Sequence, residues 1–132
     1  MWMEAHLKPE SIDFQVLSRL GGERREYQAG DVIFRAGETG SEFFVVRDGT
    51  VGIEVNGSVV ERLGSSEIFG EMALVEARPR SATVVAETDC VVVPISEKQF
   101  LTMVEYAPSF SLAVIRTLAH RLRQANANRR AA

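Results

Sequence analysis

Between residues 30 and 64 glycine interrupts the chain seven times, and no apolar run between those glycines exceeds four residues. An amphipathic helix needs sustained 3.6-residue periodicity over a longer span, so this stretch is not one. It reads as a series of short strands. "AGD", "AGETG", "RDGT" and "NGS" are turn signals separating β-branched and aromatic runs. Asp48-Gly49 and Asn56-Gly57 both read as hairpin turns, because the two central positions of such turns take positive φ. Val51, Ile53 and Val55 alternate with Gly52 and Glu54, the period of a half-buried strand. Further on, "ATVVAETDCVVVPIS" supplies two more strands around an "ETD" turn. About seven or eight short strands over 23–95 predict a mainly β fold, an antiparallel roll or sandwich.

Helical patterns flank this region. Ile12, Val16 and Leu20, closed by Gly21-Gly22, predict an N-terminal helix within 1–22. At the other end "SEKQF" reads as a capping box, with Ser96 as N-cap and Gln99 reaching back. A second helix is expected behind Pro108, which suits a first turn. Leu112, Ile115, Leu118, Ala119 and Leu122 form its expected apolar face, which something must cover. The helices are placed within 96–128, and the final "NANRRAA" is expected to fray. At 132 residues the whole chain, 1–132, is read as a single domain with one core.

Charge and cysteine content narrow the function. All eighteen acids lie at or before Glu105, with ten of the fifteen bases; the other five, Arg116, Arg121, Arg123, Arg129 and Arg130, follow it. An acidic body is a poor surface for nucleic acid or anionic lipid, and the arginines suit a helix C-terminus. Cys90 is the single cysteine, so no internal disulfide forms, and it is expected to be buried. The N-terminus lacks the pattern of a signal peptide, and no run approaches the roughly 18 apolar residues of a membrane span. A cytoplasmic setting without a membrane segment is expected. Only His6 and His120 could serve as imidazole ligands, both outside the strands, so no metal and no cofactor is expected. No nucleophile–base pair is apparent, so no catalytic residue is assigned and the chain is not read as an enzyme.

The chemistry concentrates in residues 69–87, "FGEMALVEARPRSATVVAE". "EMALVEA" favours a helix of at most about two turns, starting just after Gly70. Its first N–H groups have no helical partners and suit an anion. Gly70 allows close approach to the backbone. Pro79 stiffens the return to Arg80, whose guanidinium would complete a phosphate clamp. Glu71 repels a phosphate but accepts a bond from a sugar hydroxyl, a charge-assisted contact worth about 1.5–3 kcal/mol. The competing reading is a salt bridge between Arg80 and Glu71 with no ligand between them.

This block resembles the phosphate-binding cassette of the cyclic-nucleotide-binding domain family, written F-G-E-x-A-L, a spacer, then P-R-x-A-T. Phe69, Gly70, Glu71, Ala73, Leu74, Pro79, Arg80, Ala82 and Thr83 match. Such domains occur in protein kinase A regulatory subunits, cyclic-nucleotide-gated channels and the bacterial catabolite activator. The resemblance implies an antiparallel eight-stranded β-roll with an N-terminal helix and C-terminal lid helices, and a cassette over 69–83. It implies that Arg80 and Ser81 meet the cyclic phosphate. Main-chain N–H groups near Ala73 and Ala82 would help, and Met72 would lie alongside. Glu71 would take the ribose 2′-hydroxyl beside the Gly70 N–H. Family members that favour cyclic GMP often carry threonine after the arginine; Ser81 stands there, so cyclic AMP is expected over cyclic GMP. In the family the C-terminal helix covers the base. Arg121, Leu122, Arg123 and Asn126 are the candidate lid residues, or else these arginines merely solvate the helix end. The activator's base-contacting hydroxyl pair is replaced by Ala125 and Asn126. The expected function is therefore a non-catalytic sensor whose C-terminal helix relays occupancy to a protein effector or attached domain. The alternatives are a ligand-free module that forms a homodimer through the apolar helix face, and a truncated DNA-binding regulator.

Overall fold

The computed structural model describes residues 23–74, 76 and 78–131. The N-terminal helix expected within 1–22 lies outside the described residues. Eight strands form two antiparallel four-stranded sheets. One holds β1 (Arg25–Tyr27), β8 (Cys90–Ile95), β3 (Phe43–Asp48) and β6 (Ile68–Phe69), in that spatial order. The other holds β2 (Val32–Phe34), β7 (Thr83–Ala86), β4 (Val51–Val55) and β5 (Ser58–Leu63). Two helices follow, α1 (Glu97–Tyr106) and α2 (Pro108–Ala131). The fold is the expected β-roll with C-terminal helices.

Strand β3 explains its own composition. "FFVV" is apolar at every position because both faces are covered. Phe43 and Val45 face the helices with Ile68, Val93, Ile95, Met103, Phe110 and Val114. Phe44 and Val46 point between the sheets with Val51, Leu63, Phe69, Val84, Ala86, Cys90 and Val92. Strand β8 alternates in the same way. Its Pro94 pairs with Phe44 of β3, while pairing with β1 ends at Val92, so the missing N–H breaks no ladder on that side. Cys90 is buried as expected, and burial, aided by Asp31 and Asp89, pushes its thiol above the ordinary range.

The two glycine turns behave differently. Asn56 and Gly57 both take positive φ, 53° and 81°, and close the β4–β5 hairpin. At Asp48-Gly49 only Gly49 does, at 85°. This is not a hairpin, because β3 and β4 belong to different sheets. It is a corner where the chain crosses between sheets. The "ETD" segment is a second corner, from β7 to β8, and the two corners bond each other. Glu87 N donates to Thr50 O at 2.9 Å, and Thr50 N to Thr88 Oγ1 at 3.0 Å. Gly49 is required because a Cβ there would lie 2.3 Å from the Asp89 carbonyl oxygen.

The expected apolar face of α2 is divided. Phe110 and Val114 are buried and Leu118 packs beside them, spaced by four. Leu112, Ile115 and Leu122 are 43%, 54% and 64% exposed. The sheet and α1 cover one stripe, and the adjoining stripe faces solvent. Helix α2 also continues to Ala131, through the segment expected to fray. The capping box at Ser96 forms as read: Gln99 N donates to Ser96 Oγ at 3.1 Å, and Ser96 N to Gln99 Oε1 at 2.9 Å. Ser96→Ala is expected to cost about 1 kcal/mol and to lower Tm by about 3–5 °C. A thermal melt checks this; an unchanged Tm would mean that the cap contributes nothing.

Candidate ligand-binding site

Strand β6 delivers the chain to Gly70, which turns it with φ of 76° into the cassette. The expected short helix is a single 3₁₀ turn, Glu71–Leu74. So short a turn has little macrodipole, and Ala73 N already donates to Gly70 O at 3.2 Å. The helix end therefore offers an anion less than expected, and the charged donor beside it on the cavity wall is Arg80.

A cavity of about 400 Å³ opens at this point. Gly70, Glu71, Met72, Ala73, Arg80, Ser81 and Ala82 all line it, as does Arg121 of α2. Met72 and Ser81 are exposed, and Ala73, Arg80 and Ala82 are half-buried. Leu122 and Arg123 are exposed on α2 and do not line the cavity. The Asn126 side chain lies outside the described residues.

Arg80 and Glu71 are not each other's partners. Arg80 Nη2 donates to the Glu42 carbonyl at 2.7 Å and Nη1 to the Gly70 carbonyl at 3.3 Å. Its Cζ lies 4.2 Å from the Phe34 ring centroid, a cation–π distance. Burial pushes the Arg80 guanidinium below its ordinary range, opposed by the Glu42 and Glu38 carboxylates. It remains a cation at neutral pH.

Glu71 is 4% exposed, and its Oε1 is paired with Arg121 Nη1. Arg121 Nη2 also donates to the Ile68 carbonyl. Burial pushes Arg121 down from its ordinary range, with Glu61 and Glu67 pulling the other way. A buried carboxylate needs a partner. Here the partner comes from the C-terminal helix, fifty residues further along the chain. The direct Arg80–Glu71 salt bridge is thus not what the cavity contains.

Sequence reasoning missed Glu76 and Arg78 within the cassette and, outside it, four residues that line the cavity: Phe34 on β2, Ile53 on β4, Glu61 on β5 and Val84 on β7. Each of those four belongs to a strand of the second sheet, and its facing depends on register. No local motif marks them, although Phe34 and Ile53 carry the apolar character of an inward position. Among the described residues no cluster of three or more histidines, cysteines or acids is placed to hold a metal. No helix among them is long and apolar enough to cross a membrane.

The comparisons with known proteins agree on one family and one fold. The family model for the cyclic nucleotide-binding domain matches residues 24–106. The Pycsar effector protein XpPycTIR of Xanthomonas perforans is 36% identical over 106 residues, covering 80% of this chain and 35% of that protein. A cAMP-dependent protein kinase regulatory subunit of Debaryomyces hansenii is 40% identical over 74 residues, 56% of this chain and 16% of that one. The chain thus spans about a third or less of these relatives. The crystal structure of the Thermus thermophilus catabolite activator protein superposes with a TM-score of 0.74 at 29% identity, covering 89% of this chain and 58% of that one.

Proposed function

Because this chain belongs to the cyclic nucleotide-binding domain family, we propose that its cavity binds one cyclic nucleotide and that α2 relays occupancy to an attached effector or partner protein. The observation that carries this reading is the placement, on the walls of one cavity, of a buried Glu71 and an Arg80 that makes no salt bridge among the described residues. Arg80 has five N–H donors. Two are spent on the carbonyls of Glu42 and Gly70, and the remainder serve the cyclic phosphate. Glu71 spends Oε1 on Arg121 and offers Oε2 to the ribose 2′-hydroxyl. Ser81 and the N–H groups near Ala73 and Ala82 would serve the phosphate with Arg80, and the Gly70 N–H would lie beside the ribose, with Met72 alongside. Ser81, in place of a threonine, favours cyclic AMP over cyclic GMP.

The relay runs through Arg121. Its pairing with Glu71 ties α2 to the cassette. A ligand that bonds the same carboxylate and lies against Arg121 has contacts with the docked helix that an undocked helix lacks. That difference is what allows binding to shift the helix between positions. Leu122, Arg123 and Asn126 lie farther along α2, where a shift of the helix could bring them over the base. The larger size of the relatives is consistent with an effector carried on the same polypeptide.

Calorimetry with cyclic AMP, cyclic GMP and AMP tests the reading. Cyclic AMP is expected to bind tightest and AMP weakest; no binding of either cyclic nucleotide would overturn the function, and tighter cyclic GMP would overturn the preference. Glu71→Ala is expected to weaken cyclic AMP by about tenfold. The 2′-deoxy analogue should lose a similar factor against the wild type and almost nothing against the mutant. An equal loss in both proteins would remove Glu71 from the sugar contact.

The exposed stripe of Leu112, Ile115 and Leu122 favours a second, compatible reading, in which α2 also forms a homodimer. Light scattering is expected to show a dimer at micromolar concentration that Ile115→Glu dissociates. A monomer with and without cyclic AMP would discard it.

A further inference from the structure

No residue of the connection between β2 and β3 lines the cavity, yet this connection meets Arg80 on several sides. Arg80 N donates to Glu38 O at 2.8 Å, and Gly37 N donates to Arg80 O at 2.8 Å. Ala36 N donates to Thr83 Oγ1 at 3.0 Å, joining the same connection to the strand that Arg80 leads into. The side chain then runs past Gly40 to the Glu42 carbonyl. A Cβ built on Gly40 would stand 2.6 Å from Nη2, 2.8 Å from Nε and 2.9 Å from Cζ of Arg80. On another side the guanidinium lies over the Phe34 ring. That ring is braced by Phe44 and Phe69, each 5.9 Å away centroid to centroid.

We infer that Gly40 and Phe34 are positioning residues for Arg80: the bare backbone at Gly40 and the face of Phe34 define a slot that fixes the guanidinium plane before any ligand arrives. This rests on the reading of Arg80 as the phosphate-binding group. A long arginine side chain loses rotamer freedom when it clamps a ligand. A slot that holds it beforehand removes much of that loss from the binding step, and a fork already oriented presents its remaining donors as a set. Glycine at position 40 is not there for its backbone. Gly40 lies outside the left-handed region, so an L side chain is compatible with its conformation, and the residue is exposed. All three of its close contacts are to the far end of a flexible side chain and none to backbone. A methyl group added there therefore moves the guanidinium and spares the fold. This separates a positioning role from a structural one.

The test uses the full chain in two arms. In the first, the Arg80 Nε–Hε signal is followed by NMR without ligand. The wild type is expected to show a single Hε resonance shifted upfield by the Phe34 ring current. In Gly40→Ala and in Phe34→Leu that shift should collapse while the backbone amide spectrum stays folded. In the second arm calorimetry measures cyclic AMP. Gly40→Ala is expected to weaken binding by about tenfold, as for a displaced binding group, with Tm unchanged or slightly raised. In an Arg80→Ala background the same substitution should change affinity by less than about twofold, because its target is gone. An Hε shift unchanged in both variants overturns the inference, and so does an equal affinity loss in both backgrounds. Should the wild type bind no cyclic nucleotide, the functional reading fails while the NMR arm still decides the slot. Should Gly40→Ala fail to fold, glycine 40 has a structural role and its part of the inference falls, with Phe34→Leu deciding the rest.

Discussion

Arg80→Ala is expected to weaken cyclic AMP binding by at least about thirtyfold, a loss of about 2 kcal/mol or more. The magnitude follows from burial. Arg80 is half-buried and forms no salt bridge among the described residues, so a bound phosphate would meet a guanidinium only partly screened by water. Removing it leaves the phosphate charge in the cavity without that counter-charge. The stability cost should be smaller. The alanine variant frees the Glu42 and Gly70 carbonyls, but it also removes the desolvation that pushes Arg80 down. Arg80→Lys keeps the charge and loses the fork, so its affinity should fall between the two. Calorimetry with cyclic AMP checks the series. Equal affinity in the alanine variant and the wild type would show that the clamp does not exist.

The second large effect is on stability. Arg121→Ala is expected to destabilise the fold by about 2–3 kcal/mol, because it strands the Glu71 carboxylate in a site that is 4% exposed. The figure is below the usual range for a fully buried pair, since the Arg121 side chain is itself 26% exposed and partly screened. Chemical denaturation should give a lower midpoint with an unchanged slope. Adding Glu71→Gln to Arg121→Ala should recover much of the loss, because a neutral amide needs no counter-charge. If the single variant unfolds at the wild-type midpoint, Arg121 does not hold α2 to the cassette, and the proposed relay loses its physical link.

Features set by near neighbours in the chain could be read from the sequence. The Asn56-Gly57 turn depends on two adjacent residues with positive φ. The cap at Ser96 depends on a partner three positions away, and the cassette from Phe69 to Thr83 is a contiguous motif. The strands followed from glycine spacing and β-branched runs, which act within a few residues. Local pattern misled where a second partner decided the outcome. Asp48-Gly49 looks like a hairpin, but the neighbouring strands of β3 are β6 and β8, so the chain turns a corner there instead. The apolar residues of α2 fit two overlapping stripes, and only the position of the sheet selects Phe110, Val114 and Leu118 over Leu112, Ile115 and Leu122.

The amino-acid sequence by itself determined the roll, the cassette and the pair of ionised side chains that give the cavity its chemistry. Tertiary structure alone decided whom they touch: Glu71 meets Arg121 rather than Arg80, and Arg80 rests between Gly40 and Phe34. Those pairings join residues forty to fifty positions apart, across two stacked sheets and a helix. Strand register and packing set such distances, and no short-range preference along the chain encodes them.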